Sequence, residues 1–207
     1  MNRVTYEIES NEKKLEEYEW DYLWWEQTQK QDAIRVLYVG DSISFGTFPK
    51  ANSFAASKML FHNLATSKSI DNPFLVQLLQ LYANQPGEYQ VVLFNNGLHG
   101  WHLEDEVEYQ AHYEKTMKEL QSIFPQSKIV VVTTTSVADK ERNVRVKQRN
   151  ESAKRVADKM GLQVIDLYTI SEQYKTLQSD DGVHFTEDGY MAFAQYIVKQ
   201  IEGKVLP

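Results

Sequence analysis

The stretch that most constrains the fold is residues 34–46, which read IRVLYVGDSISFG. Its apolar residues, at positions 34 and 36–39, end abruptly at Gly40-Asp41-Ser42. A strand that is buried on both faces of a parallel sheet reads as a continuous apolar run, whereas a half-exposed strand alternates. Ser42 would then lie at the carboxyl end of a buried strand, which is the edge where open α/β sheets bind their ligands. The stretch therefore predicts a parallel sheet with a functional serine at its edge.

Apolar runs and helical patterns alternate along the rest of the chain. Further strands are predicted at 59–65, 90–94, 128–134 and 162–167. Helices are predicted at 71–82, 103–124, 139–160 and from Thr186 onward, while 44–58 is interpreted as a connection. Strands that alternate with helices in this way predict an α/β fold, a three-layer α/β/α sandwich around a five-stranded parallel sheet.

The beginning of the chain is predicted to be an extension, residues 1–30, that precedes a main domain, residues 31–207. Residues 9–30 fit an amphipathic helix, because one apolar stripe is formed at i, i+3, i+7 and i+10 by Leu15, Tyr18, Tyr22 and Trp25. Trp20 and Trp24 lie on the opposite side of this helix. They indicate a subunit contact, a wall over the site, or a helix buried on both faces. The extension is thus a possible surface for a homo-oligomer.

Composition excludes several functional classes. The 207 residues include no cysteine, so disulfides and thiolate metal sites are excluded. The formal charge of −7, from 29 acidic and 22 basic residues, disfavours nucleic acid and anionic membranes as partners. The charged first thirty residues lack the apolar core of a signal peptide, and no run has the length of a transmembrane helix. A cytoplasmic protein that binds neither nucleic acid nor a membrane is therefore expected, and no cofactor is predicted.

A serine needs a base before it can act as a nucleophile, and the end of the chain offers one. Asp181 and His184 are spaced Asp-x-x-His just ahead of the last predicted helix, and FNNGLHGW at 94–101 follows a predicted strand. With Gly40-Asp41-Ser42, these blocks resemble, in order, those of the SGNH (GDSL-like) hydrolases. The resemblance implies the flavodoxin-like fold of that family and a catalytic triad in which Ser42 is the nucleophile, His184 the base and Asp181 the residue that orients it.

The resemblance also implies the donors that would bind the oxyanion. They are the backbone N–H groups of Ser42 and of Ser67, which stands where relatives carry a glycine, and the side-chain amide of Asn95 or Asn96. The FNxG pattern favours Asn95, and strand alternation predicts that only one of the two asparagines faces the site. The predicted substrate contacts are Asp41, His99 and Trp101.

Each of these residues also has a plainer interpretation. Asp41 and Ser42 are good helix-capping residues. His99 and His102 lack a third ligand nearby, so no metal is predicted. Trp101 is either a platform for a sugar ring or ordinary packing. The basic residues at i, i+3 and i+7 of one predicted helix, which we interpret as a solvated face rather than a phosphate or coenzyme site, are Arg142, Arg145 and Arg149.

The resemblance predicts a serine esterase that hydrolyses small acyl esters, with acetyl as the expected group, of a carbohydrate or a related polar metabolite. The same triad would also serve a thioesterase or an O-acyltransferase. A third hypothesis, from another class, is a non-catalytic carbohydrate-binding or scaffold protein.

Overall fold

The computed structural model describes residues 15–85 and 87–206. Its central sheet has six strands in the order β1-β3-β2-β4-β5-β6. Strands β2 to β6 are mutually parallel, and β1 pairs antiparallel with β3. The strands are β1 (Asp21–Trp24), β2 (Ile34–Gly40), β3 (Met59–Thr66), β4 (Val91–Phe94), β5 (Lys128–Val132) and β6 (Gln163–Ile165). The α/β fold and its five parallel strands are confirmed, and β1 is a sixth strand that the sequence analysis did not predict.

Helices cover both faces of the sheet and complete the predicted three layers. They are α1 (Ser42–Ala55), α2 (Leu75–Ala83), α3 (Glu106–Ile123), α4 (Lys140–Met160), α5 (Leu167–Gln173) and α6 (Glu187–Gln200). One hydrophobic cluster lies under α1, α5 and α6, and a second lies mainly under α2, α3 and α4. Within residues 15–85 and 87–206, no helix is long and apolar enough to cross a membrane.

Strand β2 shows why residues 36–39 are all apolar. Val36 and Tyr38 belong to the first hydrophobic cluster, whereas Leu37 and Val39 belong to the second. All four side chains are buried, since alternate residues of a strand point to opposite faces and both faces carry helices. The run therefore ends where the sheet ends, at Gly40, and the chain turns directly into α1.

The predicted connection at 44–58 is wrong over most of its length, because it contains helix α1. Gly46, Pro49 and several serine and phenylalanine residues gave this stretch a low intrinsic helix propensity. Tertiary packing decides against that propensity: α1 lies closely against α6, and a Cβ atom at Gly46 would come within 2.4 Å of the Tyr190 ring. At the start of the helix, the Asp41 carboxylate accepts a hydrogen bond from the Ile43 N–H at 2.9 Å.

The helix predicted at 9–30 is also wrong over residues 15–30; residues 9–14 lie outside the described part of the chain. In its place, β1 continues the sheet along the edge of β3, in register from Asp21 opposite Thr66 to Trp24 opposite Asn63. The apolar residues follow a period of two: Tyr22 and Trp24 face α1, while Leu23 and Trp25 pack on the second cluster. Aromatic residues favour strands, and β3 would otherwise have an unpaired edge. The predicted helical surface for assembly is therefore not formed by residues 15–30.

Candidate active site

Ser42 occupies the first position of α1, at the carboxyl edge of the sheet. Its Oγ lies 2.8 Å from Nε2 of His184, which is 142 residues away in sequence. The Ser42 N–H belongs to the first turn of the helix, where backbone donors have no acceptor within the helix and the macrodipole favours negative charge. Ser42 Oγ is therefore hydrogen-bonded to an imidazole, and the Ser42 backbone lies at the positive end of a helix dipole.

Asp181 holds the other side of the imidazole. Its Oδ2 lies 2.6 Å from His184 Nδ1, and its Oδ1 accepts the N–H groups of Val183 and His184 at 2.8 and 2.9 Å. Since Nδ1 faces a carboxylate it carries the proton, which leaves Nε2 to accept a proton from Ser42. Burial alone would raise the pKa of Asp181, but these hydrogen bonds lower it below its ordinary value. Asp180, the neighbouring carboxylate, takes no part in this chain of hydrogen bonds.

The loop that carries Asp181 and His184 is fixed from both sides. Gln178 and Phe185 close it as an antiparallel bridge, and the Ala138 N–H donates to the Gly182 carbonyl at 2.7 Å. Gly182 has a φ of +72°, and a Cβ atom there would approach the Ala138 Cβ to 2.8 Å, so both the backbone and the space require glycine. The loop after β5 thus reaches the active edge.

Asp41, predicted as a substrate contact, is instead buried beneath the helix start. Its side chain is 2 % exposed, and one of its oxygens caps α1. Burial raises the pKa of this carboxyl group, while His99 and His184 oppose the rise. The plainer interpretation of Asp41 as a cap is therefore confirmed, and it coexists with the placement of Ser42 beside His184.

The two asparagines after β4 differ in how their amides are used. Both N–H groups of Asn95 have acceptors 2.9 Å away, the Val132 carbonyl and Thr134 Oγ1, so this side chain ties β4 to β5. The Asn96 amide donates once, to the Lys68 carbonyl at 2.8 Å. A primary amide has two N–H donors, so Asn96 keeps one that makes no hydrogen bond among the described residues. This contradicts the preference for Asn95 as the available donor.

Ser67 is likewise engaged elsewhere. Its N–H donates to the Trp20 carbonyl at 3.1 Å, and its Oγ accepts the Trp20 N–H at 2.9 Å. The segment that leads into β1 therefore uses the backbone donor that the sequence analysis assigned to the oxyanion. The prediction for Ser67 is wrong for this arrangement of the chain, and the reason is the added edge strand.

His99 and His102 each pair with a carboxylate, and the two carboxylates are different. His99 Nδ1 lies 2.9 and 3.0 Å from the two oxygens of Glu16, and the edge of Trp20 contacts its ring. His102 Nε2 lies 2.9 Å from Asp71. In the part of the chain that the structure describes, no three histidine, aspartate or glutamate side chains gather as a metal site would require.

Comparison with known proteins identifies the family of this chain. The sequence profile of the GDSL-like lipase/acylhydrolase family matches residues 38–192, a span that includes Ser42, Asp181 and His184. The chain belongs to this family. A comparison with curated protein sequences finds no match.

Solved structures of GDSL-type esterases share the fold of this SGNH-type hydrolase. The acetyl xylan esterase AlAXEase superposes with a TM-score of 0.65 at 16 % identity, covering 81 % of this chain and 100 % of the other. A lipase/acylhydrolase from Enterococcus faecalis gives 0.64 at 18 %, covering 83 % and 96 %. Axe2, an acetylxylan esterase from Geobacillus stearothermophilus, gives 0.62 at 14 %, covering 86 % and 99 %.

Trp101 is packed in this hydrolase rather than presented as a platform. Three guanidinium groups lie over its ring, those of Arg142, Arg145 and Arg149, at 4.8, 5.1 and 4.6 Å from the centroid. These contacts favour the packing alternative. They also contradict the interpretation of the arginines as a solvated face, because Arg149 is 1 % exposed and Arg145 donates to the Trp101 and Leu103 carbonyls.

The sequence analysis missed one residue of the site, Glu16, and misinterpreted another, Arg149. Glu16, which holds His99, lies in a segment predicted to be helical, and no motif marks it. Arg149 lies on the basic stripe of α4, where only its position next to buried alanine and valine residues distinguishes it from its neighbours. A charged residue whose neighbours at i+4 and i+7 are apolar faces the core, and that spacing is the signal that was available.

Proposed function

We propose that this SGNH-type hydrolase is a serine esterase in which Ser42, His184 and Asp181 form the catalytic triad. The observation that carries the proposal is the continuous hydrogen-bonded chain from Ser42 Oγ through the imidazole to Asp181, at 2.8 and 2.6 Å. These lengths are within the range that a general base needs for proton transfer. Residues from opposite ends of the domain therefore meet in the Ser–His–Asp arrangement of a triad.

The reaction proceeds in two acyl transfers. Ser42 Oγ attacks the ester carbonyl carbon while its proton passes to His184 Nε2, and the resulting imidazolium is stabilised by Asp181. Collapse of the tetrahedral intermediate breaks the bond to the alcohol, which leaves with the proton from His184. A water molecule then gives a proton to His184 and attacks the acyl carbon. The bond from that carbon to Ser42 Oγ breaks, His184 returns the proton to Oγ, and the acid is released.

Stabilisation of the oxyanion is assigned to the Ser42 N–H and to the Asn96 side-chain amide. The Ser42 N–H has no acceptor among the described residues and stands at the positive end of α1. Asn96 retains one amide N–H, whereas Asn95 retains none. Donors of this kind act on charge that exists only in the intermediate and transition state, so they lower the barrier more than they tighten substrate binding.

The proposed substrates are small acyl esters, acetyl esters above all, of a carbohydrate or another polar metabolite. The side chains of His184 and Asp181 are 41 % and 52 % exposed, so the triad lies open to solvent and suits a bulky polar alcohol better than a long acyl chain. The formal charge of −7 disfavours an acyl-coenzyme A, which carries several phosphate charges. The names of two structural neighbours, both acetyl xylan esterases, are consistent with this class.

Hydrolysis of p-nitrophenyl acetate by the purified chain tests the proposal. We expect turnover by the native protein and a loss of several orders of magnitude in kcat for Ser42→Ala, because members of a triad act as a unit. Ser53→Ala, an exposed serine on the same helix, is the matched control and should retain full activity. Retention of most activity by Ser42→Ala would overturn the proposal. Acetylated sugars, p-nitrophenyl decanoate and acetyl-coenzyme A then rank the substrate classes.

A further inference from the structure

The loop between β4 and α3, residues 96–103, is built around a buried cation. Arg149 projects from the middle of α4 and is 1 % exposed. Its guanidinium donates to four backbone carbonyls of this loop, at 3.2, 2.7, 2.6 and 3.4 Å, namely those of Gly97, His99, Gly100 and Leu103. The loop carries both Asn96 and His99, so its shape determines where two groups of the site lie.

The guanidinium is itself held in one orientation. The rings of Trp101 and Tyr109 lie 4.6 and 4.8 Å from it. The Tyr109 hydroxyl donates to the Asn96 carbonyl, which extends the same support to the residue that carries the amide. A planar, multidentate cation stacked on aromatic rings cannot be replaced in kind by the point charge of lysine.

The loop depends on Arg149 because its carbonyl groups all point toward the guanidinium. Four carbonyl dipoles that converge on one point repel one another unless a cation stands between them, and a buried carbonyl without a donor is unfavourable. Without Arg149 the loop has to turn its carbonyls toward solvent, which moves the backbone next to Asn96. A displacement of about 1 Å in a catalytic group can lower a rate by about 10²-fold.

We propose that Arg149 and Tyr109 are positioning residues of the esterase reaction, which hold the loop so that the Asn96 amide points to the oxyanion. The proposal rests on the function assigned above to Asn96. Neither residue is expected to contact the substrate; both act through the backbone of residues 96–103.

A double-mutant cycle on p-nitrophenyl acetate tests this role. Arg149→Lys should lower kcat by about 10-fold to 10²-fold, with KM changed by less than about two-fold and most of the protein folded. In the Asn96→Ala background the same change should lower kcat by less than about three-fold, because the group that it positions is gone. Arg155→Lys is the matched control: it lies on α4 and is exposed, and it should leave kcat unchanged.

A purely structural role would lower kcat equally in both backgrounds, and that result would overturn the proposal. If Arg149→Lys does not fold, Tyr109→Phe takes its place in the cycle. This change removes one hydrogen bond, from the Tyr109 hydroxyl to the Asn96 carbonyl, and a loss of kcat that depends on Asn96 or is equal in both backgrounds has the same meaning as before. Failure of the inference remains distinct from failure of the proposed function. If Ser42→Ala abolishes activity while the cycle is additive, only the positioning role is contradicted. If Ser42→Ala stays active, the proposed esterase mechanism itself is contradicted.

Discussion

Replacement of Asp181 by asparagine tests how the imidazole is held. In the native chain Asp181 Oδ2 accepts from His184 Nδ1 at 2.6 Å, while Oδ1 accepts two backbone N–H groups. Asparagine can keep its oxygen toward the backbone donors, but its NH₂ group then faces Nδ1. The imidazole must change tautomer so that Nδ1 accepts a hydrogen bond, and Nε2 then presents a proton to Ser42 instead of accepting one.

The magnitude follows from the charge that is lost. The carboxylate stabilises the imidazolium that forms when His184 takes the serine proton. Two unit charges about 4 Å apart attract by about 1 kcal/mol in water and about 4 kcal/mol at an effective dielectric constant of about 20. Because both side chains are about half exposed, the loss lies between these limits, which corresponds to a fall in kcat of about 5-fold to 10³-fold.

The assay is steady-state hydrolysis of p-nitrophenyl acetate by Asp181→Asn, with Asp180→Asn as the matched control. Asp180 is an exposed neighbour that does not bond His184, and its variant should keep native kcat. KM should change little for either variant, because the carboxylate acts on charge that develops after binding. Equal losses in the two variants, or a kcat above half the native value for Asp181→Asn, would show that Asp181 does not hold the imidazole in its reactive tautomer.

Three further predictions concern the groups around the triad. Asn96→Ala should lower kcat by about 10²-fold to 10³-fold with an unchanged melting temperature. Asn95→Ala should instead lower the melting temperature, because it removes the two side-chain hydrogen bonds to the Val132 carbonyl and Thr134; the opposite ranking would move the donor to Asn95. Glu16→Gln disrupts the acceptor of His99 and should lower the free energy of unfolding, measured in urea, by about 1–3 kcal/mol. Glu17→Gln, at an exposed neighbouring position, should lower it by less than about 0.5 kcal/mol. Equal values would show that the pair of Glu16 and His99 adds no stability. The pKa of Asp181 in the folded protein lies below the ordinary value of 3.8, so the carboxylate stabilises the fold above pH 3.8, and this stabilisation is lost as the pH falls through the folded-state pKa. The melting temperatures of the native protein and Asp181→Asn should therefore converge in acid. A constant difference between pH 7 and pH 2 would contradict this.

The sequence predicted those parts of the fold and site that depend on local pattern. Strand β2 was predicted because its burial on both faces leaves a continuous apolar run, and the end of that run located Ser42. His184 and Asp181 were predicted because Asp181-x-x-His184, just before a well-capped helix, resembles the last block of the SGNH hydrolases. The structure brings these residues to hydrogen-bonding distance.

The parts that were missed depend on contacts between distant segments. The aromatic residues between positions 15 and 25 fit both a helical and an alternating pattern, and only the free edge of β3 decides for a strand. The choice between Asn95 and Asn96 depends on acceptors in β5 and in the loop after β3, which no local rule reveals. The buried role of Arg149 depends on carbonyls of residues 97–103, about fifty positions earlier in the chain.

The central claim, that Ser42 is a nucleophile activated by His184, is tested most directly by covalent labelling. The native chain is incubated with a fluorophosphonate, and the modified peptide is identified by mass spectrometry over time. We expect a single adduct on Ser42, formed at least about 10²-fold more slowly in His184→Ala and at the native rate in His112→Ala, a histidine on the surface of α3. An adduct on another residue, or labelling of Ser42 at an equal rate in His184→Ala, would contradict it.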